Sequence, residues 1–174
     1  LSTSTTSLQE QLVSKDLPAL AAAATEPFTY ALAKGRGRYV CKLKLMRRAG
    51  ADAASQDTLE LENESSLQQQ ATVTDSRVVF YHSLADALQT GWDGDRDSLP
   101  EGTQAEAWGT VAADRHTCTA RACSHYSSCS YYLARRKLAG VDLIVANHDL
   151  VLASIGARTL PELEDAYWVF DEGH

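Results

Sequence analysis

Apolar residues recur along this chain with helical spacing in some stretches and as unbroken runs in others. After a hydroxyl-rich opening (Ser2, Thr3, Ser4, Thr5, Thr6), Leu8, Leu12 and Val13 fall on one face, with Ser7 and Glu10 spaced as a capping box. This predicts the end of a strand or a loop, then a helix stopping near Asp16-Leu17-Pro18. Val79, Phe80, Leu84, Ala87 and Leu88 repeat at three and four, so a helix is expected from Asp75 or Ser76 until Gly91 closes it. Trp92-Asp93-Gly94-Asp95-Arg96-Asp97 reads as a turn, and Tyr131–Leu138 as a further helix.

Two runs break the helical period. Val141-Asp142-Leu143-Ile144-Val145-Ala146 is nearly all apolar and rich in branched residues, which predicts a buried parallel strand. Ala166-Tyr167-Trp168-Val169-Phe170 is a second such run, and Asp171-Glu172-Gly173-His174 follows it directly. Ligands bind at the carboxyl ends of parallel strands, so these polar residues are placed for chemistry. Between the two regions, Gly35 and Gly37 suit a turn feeding an extended basic stretch, Lys34–Arg48, that presents Cys41. Ala49–Ser76 has no basic residue and reads as a solvated helix or a loose linker. Helices mixed with buried strands make the chain α/β.

Composition adds bounds. The 174 residues, 44% of them apolar, can bury one ordinary core or two small ones, so the chain is globular rather than disordered. No apolar run approaches the roughly 18 residues of a membrane helix and no charged-then-apolar leader is visible, so no membrane partner is expected and the cytoplasm is the default location. A start at Leu1 and an end on the last letter of a motif suggest a piece of a longer protein. The net charge of −7 argues against a nucleic-acid partner, yet its distribution reverses that. Lys34–Arg48 holds seven basic residues and Arg115–Lys137 five, neither segment contains an acid, and together they hold all four cysteines. Positive ground around the cysteines on an acidic body is what a phosphate-backbone binder shows. The plainer alternative is two solvated faces.

The cysteines Cys41, Cys118, Cys123 and Cys129 are spaced C-x76-C-x4-C-x5-C. Four thiolates can hold an iron-sulfur cluster or a tetrahedral zinc, form two disulfides, or sit buried without a ligand. A cytosolic location disfavours disulfides. The three-plus-one division resembles ferredoxin-type runs more than paired zinc knuckles, but spacing alone leaves cluster and zinc both open. At the other end, a single carboxylate at a strand terminus suffices to anchor a magnesium nucleotide, a role that fits Asp171. Glu172 beside it would orient and deprotonate the attacking water, and His174 could report nucleotide state to the nucleic-acid side. An ordinary acidic turn is the alternative. Asn147-His148 after the strand has a catalytic look, but a polar turn bonding its own backbone is the favoured reading.

With these residues in place the chain resembles the DinG family of bacterial helicases, in the XPD-like, iron-sulfur branch of superfamily 2. The resemblance spans essentially the whole chain: STSTTSLQEQL is similar to motif Ia, GRGRYVC to the first cluster segment, CTARACSHYSSC to the next three ligands, VDLIVANHDLVLA to a core strand and turn, and DEGH to the Walker B box. WDGDRD is similar to this family in particular. The resemblance implies a partial RecA-like parallel-sheet motor domain carrying an inserted, mainly α-helical 4Fe-4S domain. The motor would occupy residues 1–25 and 140–174, and the insert 26–139. It implies cluster ligation by Cys41, Cys118, Cys123 and Cys129, magnesium contact by Asp171 and hydrolysis by Glu172.

It further implies strand contacts by Thr3, Thr5 and Gln9 of motif Ia, for which helix capping is the alternative, and a DNA path beside Arg36, Arg38 and Tyr39. Arg121 and Arg135 in the second basic segment are candidates for phosphate contacts. The intact protein would be a monomeric, ATP-dependent 5'-to-3' helicase, nucleoid-associated in a bacterial cytoplasm. It would act on single-stranded or forked DNA and RNA-DNA hybrids in replication and repair. No G-x-x-x-x-G-K-[ST] loop occurs, so this chain alone should not hydrolyse ATP. The rival reading is a non-catalytic, zinc-bearing nucleic-acid-binding module.

Overall fold

The computed structural model describes residues 1–55, 64–99, 105–157, 160 and 166–171. Its elements in chain order are β1 (Ser2–Thr3), α1 (Thr6–Gln11), α2 (Leu17–Ala23), β2 (Tyr30–Leu32), α3 (Lys42–Ser55), α4 (Glu64–Gln89), α5 (Ala105–Val111), α6 (Ser130–Lys137), β3 (Leu143–Asn147) and α7 (His148–Ala157). They fall into two units, one made of Leu1–Gly35 with Tyr132–His174 and the other of Arg36–Tyr131. No described helix is long and apolar enough to cross a membrane.

The first unit is built on a parallel sheet in the order β1-β3-β2. Ser2 and Thr3 pair with Ala146 and Asn147, and Tyr30, Ala31 and Leu32 with Leu143, Ile144 and Val145. The branched run expected as a strand is therefore the central one, flanked on both sides, which is why Val145 and Ala146 are buried. Leu138, Val151 and Leu160 pack with Ala33 and Ala146 to form its core. The start of β2 is fastened to the start of β3, because Asp142 accepts from both the amide (2.7 Å) and the hydroxyl (2.8 Å) of Thr29. Those bonds hold the Asp142 carboxyl below the usual carboxylate range.

Three expectations for this unit change. The cap of α1 is Thr5, whose hydroxyl accepts from Leu8 N at 3.2 Å, rather than Ser7. The helix does not stop at Pro18: it passes through a π-helical turn at Leu12–Asp16 into α2, and Pro18 falls directly after that turn, where the ladder is already shifted, with Leu17 N bonded to Leu12 O. The Ala166–Phe170 run is exposed and joins the sheet through one parallel bridge, Ser2 to Phe170, with Tyr167 98% exposed.

The second unit packs α3, α4 and α5 around Val40, Leu45, Phe80, Tyr81, Leu84, Trp108 and Val111. Phe80, Leu84 and Leu88 face this core as their spacing implied, but Val79 is exposed and Tyr81 and Ala85 take the inward positions. Gly91 follows α4 with φ +105, the left-handed conformation that ends a helix. The stretch expected to be extended around Cys41 is so only at Tyr39 and Val40, which bridge to Asp95 and Ala112; Lys42 to Arg48 are helical. Of the expected linker, Ala49–Ser55 and Glu64–Ser76 are helix, and residues 56–63 lie outside the described residues.

Candidate functional site

Cys41 immediately precedes α3: its amide donates to Val111 O (2.7 Å) and its carbonyl accepts from Leu45 N (2.9 Å). Cys118, Cys123 and Cys129 lie on a loop that winds in short turns, with Cys123 N donating to Ala120 O, Tyr126 N to Cys123 O and Cys129 N to Tyr126 O. All four thiols are half-buried and none forms a disulfide. In number and kind this donor set suits a four-iron cluster or zinc. In placement it does not make a cage, since among the described residues no three His, Cys, Asp or Glu side chains are grouped to hold an ion.

The WDGDRD turn frames both ends of this cysteine set. Gly94 O accepts from Val40 N (2.9 Å), beside Cys41, and Gly94 itself has φ +85. A Cβ on Gly94 would collide with Ser130, meeting its Cβ at 2.6 Å, and would lie 3.0 Å from Val40 Cγ1. Only glycine fits between the neighbours of Cys41 and Cys129 in that conformation. Asp93 and Asp95 cap the turn by accepting from Asp95 N and Asp97 N. Trp92 and Trp108 meet edge to face, and Trp108 Nε1 donates to Gly37 O at 2.9 Å.

Several residues expected to meet DNA have partners inside the protein. Arg38 is ion-paired with Asp97 and donates to it through Nε at 3.2 Å. Arg36 stacks 4.2 Å above the Tyr131 ring. Tyr39 is 6% exposed and packs edge-on against Tyr131; burial, reinforced by Asp95 and Asp93, pushes its phenol well above its ordinary range. Arg135 donates to Leu160 O at 3.1 Å. Arg121, by contrast, is exposed. Across the same basic ground, Lys44 pairs with Asp114 (2.8 Å), whose carboxyl also accepts from the Thr117 hydroxyl and the His116 amide; together these hold it far below the usual carboxylate range.

At the sheet, Thr3 is buried and its hydroxyl donates to Thr5 O at 3.3 Å, and Thr5 caps α1. Gln9 is 5% exposed and its Nε2 meets no partner among the described residues. Asp171 follows the bridge to β1, its amide donating to Ser2 O at 2.9 Å and its side chain exposed. Glu172 and His174 lie outside the described residues. Asn147 caps α7 by accepting from Leu150 N, as a polar turn should, but His148 does not bond locally: its ring joins Ser2 to Asp171. An Asn-His pair directly after a buried strand was the available signal. The partners lie 146 and 23 residues away, which no local pattern reveals.

No protein-family model matches the chain. Over all of its length it aligns with the ATP-dependent DNA helicase DinG of Photobacterium profundum (38% identical), of Salmonella typhimurium LT2 (34%) and of Escherichia coli K12 (33%). The chain is homologous to the DinG helicases. It spans 24% of the length of each of these relatives. The aligned stretch spans all four cysteines, the WDGDRD turn and Asp171.

Proposed function

We propose that this chain is the part of an ATP-dependent, 5'-to-3' DNA helicase that runs from motif Ia to the Walker B box. The observation that carries the reading is the whole-length similarity to DinG helicases. In this reading residues 1–25 and 140–174 belong to a RecA-like motor domain and 26–139 to an inserted 4Fe-4S domain. The small parallel sheet and the separate Arg36–Tyr131 unit support a motor with an insert, although β2, at Tyr30–Leu32, pairs in the sheet and so draws the edges of the insert in to Arg36 and Tyr131. Asp171 would contact the magnesium of bound ATP, Glu172 would orient the attacking water and accept its proton, and His174 would relay nucleotide state.

Cys41, Cys118, Cys123 and Cys129 would hold the cluster. Their chemistry supports this, and because metal binding is coupled to folding, ligation would draw the sulfurs together. With Arg38 and Tyr39 engaged internally, exposed Arg121 is the strongest of the proposed phosphate contacts, alongside Arg36, Arg135, Thr3, Thr5 and Gln9. Branched DNA and RNA-DNA hybrids would be the substrates.

Two measurements test the reading. Anaerobically purified protein should be brown, absorb broadly near about 400 nm and carry roughly four iron and four sulfide per chain. Stoichiometric zinc without iron would replace the cluster with the zinc-module reading. In the intact helicase, Glu172→Gln should abolish ATP turnover and unwinding while nucleotide binding persists, because the amide keeps the shape but cannot accept a proton. Near-normal turnover would remove Glu172 from catalysis.

A further inference from the structure

We propose that His148 is a positioning residue that ties the motif Ia strand to the carboxylate corner, so that the DNA-facing and nucleotide-facing ends of the sheet move together. This rests on the helicase reading above. Ser2 Oγ and His148 Nδ1 are 2.5 Å apart, and His148 Nε2 lies 3.0 Å from Asp171 O. A carbonyl oxygen only accepts, so Nε2 carries the proton and donates. In the neutral ring Nδ1 then accepts from the Ser2 hydroxyl. Each ring nitrogen therefore has a fixed and different task.

The two partners are themselves fixed. Ser2 is 1% exposed, donates from its amide to Val169 O (2.7 Å) and accepts from Asp171 N (2.9 Å). The ring packs against Phe170 with centroids 5.9 Å apart. His148 is the first residue of α7, and Asn147 caps that helix while ending β3, so the ring is anchored to the central strand. A shift of the Asp171 backbone on nucleotide binding must displace the ring or break its bond. Either event reaches Ser2, and Thr3 and Thr5 lie one and three residues beyond it. The path is a set of direct contacts between segments far apart in sequence rather than mere proximity.

The test uses the intact helicase and the ratio of ATP turnover with single-stranded DNA to turnover without it. His148→Ala should reduce this ratio about tenfold, within the usual range of couplings between sites. A purely structural role would lower both rates together and leave the ratio unchanged, which would overturn the proposal. His148→Asn keeps an acceptor near the Nδ1 position, and His148→Gln keeps a donor near the Nε2 position. Because the tie needs both ends, each should lose most of the ratio, and full retention by either would overturn it. Ser2→Ala should reproduce the effect, and the double variant should be no worse than either single one. Multiplying losses would show that the two residues act separately, against the proposal. Should His148→Ala fail to fold, Ser2→Ala and His148→Asn carry the same readout. A wild-type ratio of one would overturn the helicase reading itself, and the tie with it.

Discussion

The two units of this protein hold their chemistry-bearing residues in opposite ways. In the Arg36–Tyr131 unit, side chains do the fastening: Arg38 grips Asp97, Arg36 lies on Tyr131, Lys44 neutralises Asp114, and a glycine lets Val40 and Ser130 close on one another. In the sheet unit the backbone does it, since Ser2 and Asp171 are set by main-chain bonds and only then linked through one imidazole. Side-chain fastening of this kind limits how much positive charge remains available. A basic segment can be rich in arginine and still offer little free charge if acids elsewhere in the same unit have already paired with it. WDGDRD supplies such acids to GRGRYVC.

Removing the core on which side-chain fastening depends should have the largest effect. Trp108→Ala deletes a buried ring, its bond to Gly37 O and its edge contact with Trp92, and should cost about 3–5 kcal/mol. Hydrogen exchange should show protection lost first in α3, α4 and α5. Equal loss along β3 would mean that the two units unfold as one.

Gly94→Ala comes next, at about 2–4 kcal/mol, because it adds both a clash with Ser130 and a strained backbone. If thermal melts of this variant match wild type, the turn has shifted and does not clamp the cysteine-bearing segments.

The smallest effect is on acid stability. Asp114 titrates below an unfolded carboxylate, so its contribution is present above about pH 4 and is lost as pH falls through its depressed value. Lys44→Met removes the largest cause of that depression and should move the Asp114 carboxyl back toward the ordinary range in an NMR titration. An unchanged titration would assign the depression to Thr117 and the His116 amide instead.

What the sequence made legible follows the same division. β3 could be read because a strand paired on both sides must be apolar throughout, and α6 and the end of α4 because Gly91 and helical spacing are local signals. The Ala166–Phe170 run misled because an apolar composition does not say whether anything covers it. Pro18 misled because proline usually ends a helix, whereas here a π-helical turn just before it shifts the ladder and the helix continues. β2 went unread, being three residues long and defined chiefly by its neighbour. The cysteine set, the Asp171 corner and the family were visible as motifs. Which arginines are committed was not, because the Arg38–Asp97 pair spans 59 residues and only folding brings it together.

Arg36 and Tyr131 are the first and last residues of their unit, and they are stacked on one another. β2 and β3 pair directly although that whole unit lies between them in the chain. For a disordered connection of that length, bringing the two strands together would carry a loop-closure cost that grows with the logarithm of length. A folded unit with joined ends behaves kinetically like a short tether. Once that unit has folded, through contacts as distant as Trp108 with Gly37 across 71 residues, the parallel pairing of β2 with β3 closes a short gap rather than a long loop.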